Sequence, residues 1–226
     1  MILFAASVIF HVLNFIVLTV NLALGKGATF GKYRYIFFFN KVTLVPSIAL
    51  IYLQVAEYYQ SFSRKIVFYM IFAWFGDVFL FSNQFGFTLF GAISFAISHF
   101  AVISFYDIHW LYVPKYFILL VLPGTLFLFA HLIPKIKLEY NHEYFVVLYC
   151  IILQFTYASA AARCSTYPLT HPSFLMCYIG YFFFLVSDYF LIKKELKISP
   201  KPRRVEIMST YAIAQTLIIL GTALAL

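Results

Sequence analysis

Apolar runs of near-helical length recur from one end of this chain to the other, and little polar sequence separates them. A helix needs about 20 largely apolar residues to cross a bilayer, because in hydrocarbon its backbone N–H and C=O groups must be satisfied internally. Eight such runs can be read, over residues 1–24, 35–52, 66–81, 87–106, 116–133, 144–162, 173–192 and 207–226. Hydrophobic residues make up 64% of the chain and charged residues only 11%, where a soluble domain is about a quarter charged. So few charges could not cover a water-facing surface. The expectation is an all-α polytopic membrane helical bundle of about eight transmembrane helices. The connectors leave no room for a soluble domain, so residues 1–226 read as a single integral membrane domain.

A net charge of +8 raises the question of nucleic acid. The basic residues sit in the connectors rather than in a separate basic domain, which is the pattern of membrane topology and argues against nucleic acid as a partner. Twelve Lys and Arg follow runs one, three, five and seven (Lys41 included), against four after runs two, four and six. By the positive-inside rule the richer side is cytoplasmic, so both termini face the opposite side. Much of the asymmetry rests on Lys193, Lys194, Lys197, Lys201, Arg203 and Arg204. The first run lacks a basic stretch ahead of it, and Lys26, Lys32 and Arg34 follow it, which favours a retained helix over a cleaved signal peptide. Cys150, Cys164 and Cys177 show no CxxC spacing and read as small hydrophobes.

Within this apolar background two acids stand out. Asp77 lies near the end of the third run and Asp188 near the end of the seventh. An ionisable side chain inside a bilayer is costly, and is usually paired, water-facing and functional. Under the topology above both fall in the cytoplasmic half, together with Asn21, Lys41, Tyr149, Tyr211 and Gln215, while His99 lies deeper, near the middle of the fourth run. Each of these has a plainer reading. An aspartate could serve only to pair a lysine, His99 to bond neighbouring helices, Lys41 to snorkel to the headgroups, and the tyrosines to sit in an interfacial belt. The Gly76-Asp77 and Ser187-Asp188 segments also echo one another, either as a duplication or by chance in a Phe- and Leu-rich chain.

Several chemistries can be set aside. The six histidines never approach HxxH or HxxxH spacing, which argues against a zinc or di-iron site. Trp74 stands where an intramembrane aspartyl protease would carry the first glycine of GxGD, and no GxSxG elbow, dinucleotide loop or Walker loop is present. No cofactor is implied.

Gly76-Asp77, followed by Gly91, Phe95 and His99 at four-residue steps along one helix face, resembles a signature of the lysoplasmalogenase-like transmembrane family, the YhhN-like proteins. Gly180 with Ser187-Asp188 is similar to that family's second acidic motif, Tyr211 with Ala214-Gln215 to its last-helix motif, and Lys41 to the basic residue opening its second helix. Val42 departs from the usual proline after the lysine, Val102 from the tyrosine that often follows the histidine, and no Met lies near Phe155. These departures remove neither acid.

The resemblance implies an endoplasmic reticulum enzyme whose substrate is a lysophospholipid, a lysoplasmalogen, and which hydrolyses its vinyl-ether bond to a fatty aldehyde and a glycerophospho-base. Such ethers cleave by protonation at carbon, giving an oxocarbenium ion that water captures. One protonated carboxyl could supply the proton and a second, ionised, could stabilise the cation and activate water, a division of labour known from two-carboxylate glycosidases. Asp77 and Asp188 would form that pair, either in either role. His99, Tyr211 and Gln215 would orient water or hold the acids, and Lys41 could draw in the substrate phosphate. The alternative is a transporter or lipid-translocating protein whose acids bind a proton or cation, expected to carry polar residues on into the far half of the bundle. A receptor or scaffold whose acids only pair structurally is a third reading.

Overall fold

The computed structural model describes residues 2–23, 32–82, 85–131, 141–196 and 204–225. They form α1 (Ile2–Ala23), α2 (Lys32–Tyr58), α3 (Arg64–Phe79), α4 (Phe85–Tyr106), α5 (Phe117–His131), α6 (Asn141–Ala162), α7 (Pro172–Glu195) and α8 (Arg204–Ala223). Short 3-10 turns at Trp110–Tyr112 and Arg163–Ser165 lie ahead of α5 and behind α6. The expected all-α bundle is present, and the described residues fall into eight helices that match the eight apolar runs.

Five of the eight are long and apolar enough to cross a membrane: Phe38–Tyr58, Gly86–Tyr106, Glu143–Ser165, Pro172–Lys194 and Val205–Ala223. In the remaining three the described residues give shorter apolar helices, Leu3–Val17 in α1 and Phe117–Leu128 in α5, and α3 has 16 residues. The chain is therefore a multi-pass integral membrane protein with five well-defined spans. Many of the basic residues that set the expected orientation (Lys26, Lys135, Lys137, Lys197, Lys201 and Arg203 among them) lie outside the described residues.

Helices α1 to α7 turn apolar side chains outward, as a bundle in lipid requires, while α8 has no exposed side chain among its described residues. Phe68, Ile71 and Phe75 of α3 are exposed, whereas Ile66, Tyr69, Met70, Ala73 and Asp77 face the interior. Helix α7 is the axis of the packing. Its Ser173, Cys177, Tyr181, Phe184 and Asp188 recur at three- and four-residue steps, all buried, and so occupy one face. Helix α8 lies close against it, since a Cβ at Gly180 would meet Ile218 Cγ1 at 2.9 Å and one at Gly221 would meet Cys177 Sγ at 2.8 Å. Small residues allow this approach where lipid tails give helices no hydrophobic reason to associate.

Polar side chains stitch the first helices together. On one face of α1, Ser7 accepts from Gln54, His11 bridges Ser47 (2.7 Å) and Thr216 (3.1 Å), and Asn14 donates to Thr43 (2.9 Å). Pro46, inside α2, has no N–H to give the carbonyl of Val42, one turn earlier. Trp74 of α3 fills that place, its indole Nε1 donating to Val42 O at 2.9 Å. The proline break and its repair lie one turn from Lys41, and tie α2 to α3 where the acid of α3 is carried.

Candidate functional site

Asp77 sits in the last turn of α3 and is 1% exposed. Tyr211 of α8 donates to its Oδ2 at 2.7 Å, and the Lys41 ammonium of α2 stands 3.7 Å from its Oδ1. Gln215, one turn along α8, donates to Tyr211 Oη at 3.1 Å and accepts from Tyr69 Oη of α3 at 2.7 Å. Tyr69, Gln215, Tyr211 and Asp77 thus form one directed chain of hydrogen bonds that ends at the carboxylate, with a cation beside it. A charge withdrawn from water needs a partner of this kind, because an unpaired one would be severely penalised. Three of the expected residues, Lys41, Tyr211 and Gln215, therefore meet around one acid.

Asp188 is organised separately. It is buried on the interior face of α7, and Tyr149 of α6 donates to its Oδ2 at 2.6 Å. Among the described residues no hydrogen bond joins this carboxyl to the Asp77 chain. What lies between them is aromatic: Phe95 of α4 packs edge-on to both Phe184 (6.0 Å) and Tyr211 (5.9 Å), and Phe184 packs against Tyr211 (5.8 Å). His99, one turn beyond Phe95, is fully buried with its ring 4.9 Å from Phe184 and 6.3 Å from Tyr149. Neither of its nitrogens has a hydrogen-bond partner among the described residues. Asn21 falls in α1, and its side chain lies outside the described residues.

A cavity of about 100 Å³ opens beside the second acid. Leu80 at the end of α3, Thr88, Leu89, Ala92 and Phe95 of α4, Phe145, Val146 and Tyr149 of α6, and Leu191 and Ile192 of α7 line it. Its wall is almost wholly apolar and includes Tyr149, the residue whose hydroxyl holds Asp188. Phe95 belongs both to this wall and to the aromatic layer in front of Tyr211 and Asp77. The lining comes from the C-terminal ends of α3 and α7 and the N-terminal halves of α4 and α6, all at one end of the bundle.

The family model of the YhhN family matches residues 36–222. The chain belongs to the YhhN family. The matched segment runs from α2 to α8 and contains both acids and every expected site residue except Asn21. This polytopic membrane family is related to lysoplasmalogenase-like proteins. No curated protein and no solved structure gives a significant match.

This YhhN chain also carries polar residues that its sequence did not single out. Tyr69 precedes Asp77 by two turns on the same face and closes the hydrogen-bond chain. Arg163, counted with the connectors, is instead 1% exposed. Its guanidinium is held by Ser173 (Nη2 to Oγ, 2.7 Å) and lies over the rings of Tyr106 (4.6 Å) and Tyr167 (4.9 Å). This arginine puts a buried charge in the half of the bundle away from the two acids. It sits in the turn just beyond the C-terminus of α6, at the end of the bundle opposite the cavity, where Tyr106 ends α4 and Ser173 begins α7. Such a residue looks like a loop cation because nothing in its own segment reveals that three helix ends close over it.

Proposed function

We propose that this YhhN protein is a membrane-embedded hydrolase of lysoplasmalogens, cleaving the vinyl-ether bond with Asp77 and Asp188 as its acid/base pair. The observation that carries the reading is the apolar cavity that ends on Tyr149, whose hydroxyl holds Asp188. An alkenyl chain fits such a wall, and its ether end would then lie at Tyr149, beside Asp188. Asp188 has no cation beside it among the described residues, so it is the carboxyl that stays protonated and is the acid. Lys41 beside Asp77 balances a negative charge there, so Asp77 is the ionised partner.

The steps balance as follows. A proton passes from Asp188 to the outer vinyl carbon, and the ether carbon becomes an oxocarbenium ion. Water adds to that carbon, its proton passing to the Asp77 side. The resulting hemiacetal breaks its bond to the glycerol oxygen, which takes up a proton as the hemiacetal hydroxyl gives one up, yielding a fatty aldehyde and a glycerophospho-base. The proton held on the Asp77 side returns to Asp188, and the net reaction consumes one water. Phe95 must shift for the two sides to share a substrate, since its ring separates the cavity from Tyr211 and Asp77. The reading carries with it the eight-span topology, termini on the non-cytoplasmic side and residence in the endoplasmic reticulum membrane.

The test is aldehyde release from lysoplasmalogen by purified protein in detergent. Asp77→Asn and Asp188→Asn should each abolish it while the melting temperature shows a folded bundle. Full activity in either variant would refute the two-acid mechanism. A second reading, a transporter or lipid-translocating protein, draws support from Arg163, because polar groups do continue into the far half. Solute or lipid movement in vesicles without aldehyde release would select it.

A further inference from the structure

We propose that the bundle holds a file of internal water running from His99 to Arg163, which delivers water to the acids from the end opposite the lipid cavity. Eight buried side-chain polar atoms lack a hydrogen-bond partner among the described residues, and five of them belong to four residues in a row: His99 Nδ1 and Nε2, Tyr181 Oη, Tyr106 Oη and Arg163 Nε. These residues adjoin one another. The His99 and Tyr181 rings are 5.9 Å apart, those of Tyr181 and Tyr106 are 6.3 Å apart, and the Arg163 guanidinium lies 4.6 Å above the Tyr106 ring.

Scattered orphans would each need a separate cause; a contiguous set points to one. Folded proteins rarely leave buried polar atoms unsatisfied, and the usual remedy is internal water, each molecule making about three hydrogen bonds. The members suit a chain of waters. Tyrosine hydroxyls both donate and accept, a neutral imidazole has one donor and one acceptor nitrogen, and Arg163 supplies donors at the terminus. Arg163 also has no carboxylate in ion-pair contact among the described residues, and Ser173 takes its Nη1 and Nη2 donors while Nε stays free. A guanidinium so placed holds its charge far more readily when water touches it.

The direction of the file follows from the helices. From His99 to Tyr106 is seven residues along α4, an axial distance of about 10 Å. It begins beside Tyr149 at the inner end of the cavity and ends where α4 closes, α6 turns and α7 starts. Lipid and water would thus reach the two acids from opposite ends. The existence of the file stands on the orphaned atoms alone, while its use in hydrolysis rests on the function proposed above.

The experiment is millisecond radiolytic hydroxyl labelling of the purified full chain in detergent, read residue by residue by mass spectrometry. Water held against a buried side chain generates the radical in place, so burial does not protect it. Tyr106 and Tyr181 should be oxidised severalfold faster than Tyr52, which is as inaccessible as Tyr181 but has its hydroxyl bonded to the Ser63 N–H. Oxidation of both at the rate of Tyr52 overturns the file, whatever the protein catalyses. Tyr181→Phe supplies a second reading: Tyr106 labelling should fall, and kcat for aldehyde release should drop with KM and melting temperature unchanged. Unchanged Tyr106 labelling in that variant would also count against a continuous file. Labelling as expected with no aldehyde release from lysoplasmalogen leaves the file standing and removes the hydrolase.

Discussion

Phe95 lies so close to Gly76 that a Cβ added there would stand 2.5 Å from its ring. The glycine before Asp77 is thus what lets α4 bring an aromatic ring flush against α3, and that ring in turn meets Tyr211 and borders the cavity. Gly76→Ala should displace Phe95 and cost about 1–3 kcal/mol, the usual penalty of overpacking. A thermal melt in detergent reads the loss. Adding Phe95→Leu should restore part of it, since the smaller side chain vacates the space. No recovery in the double variant would show that the two positions are not coupled.

Lys41 and Asp77 should be worth more as a pair than either is alone. Removing the cation with Lys41→Met leaves a buried carboxylate without its counter-charge, which typically costs about 3–5 kcal/mol. The double variant Lys41→Met/Asp77→Asn should recover most of the lost stability while remaining inactive. Equal melting temperatures for the single and the double variant would argue that Lys41 faces the headgroups and not the acid.

Tyr149→Phe separates the proposed chemistry from folding. It deletes the hydroxyl that donates to Asp188 while keeping the ring that forms the cavity wall and packs beside His99. Aldehyde release should fall because Asp188 loses the group that positions it, by less than Asp188→Asn, which removes the general acid itself, and with only a modest change in melting temperature. Wild-type rates would detach Tyr149 from the mechanism.

How much of this could be read beforehand depends on the scale of the interaction. The helices were legible because apolar runs of bilayer length permit few other folds, and Asp77, Lys41, Tyr211 and Gln215 were legible as polar exceptions in such runs. Their grouping follows from turns of α2, α3 and α8 that face one another. Tyr69 was not legible, because a tyrosine in an aromatic-rich chain gives no sign of its hydrogen bond to Gln215. Arg163 lies in a connector as its sequence suggests, but its burial was not legible, since that is decided by where α4 and α8 end and α7 begins. The partner of Val42 O was hidden for the same reason: Pro46 reveals that a carbonyl is freed, but only the packing of α3 shows that Trp74 takes it.

That repair yields its own prediction. Trp74→Phe keeps an aromatic ring between α2 and α3 but leaves the Val42 carbonyl without its donor, at a cost of about 1–3 kcal/mol for a buried unsatisfied acceptor. Replacing Pro46 by Ala in the same background returns a backbone N–H to α2 and should offset much of the loss. If Trp74→Phe is equally damaging with and without Pro46, the indole acts by packing alone.

The cavity offers the sharpest separation between a lipid site and a structural gap. Ala92 lies on its wall in the middle of α4, at a position facing Phe145 and Val146 of α6. Ala92→Phe would occupy most of its volume of about 100 Å³ while leaving Asp77, Asp188, Lys41 and Tyr211 in place; of the acids' partners only Tyr149 lines the same space. If the space is a packing defect, filling it should leave catalysis unchanged and hold or raise the melting temperature. If it receives the alkenyl chain, the same substitution should raise KM for long-chain lysoplasmalogen steeply while a short-chain vinyl ether is cleaved at close to the wild-type rate. Equal losses on long and short substrates would point to damage at the acids themselves, and unchanged kinetics on both would remove the cavity from the proposed function.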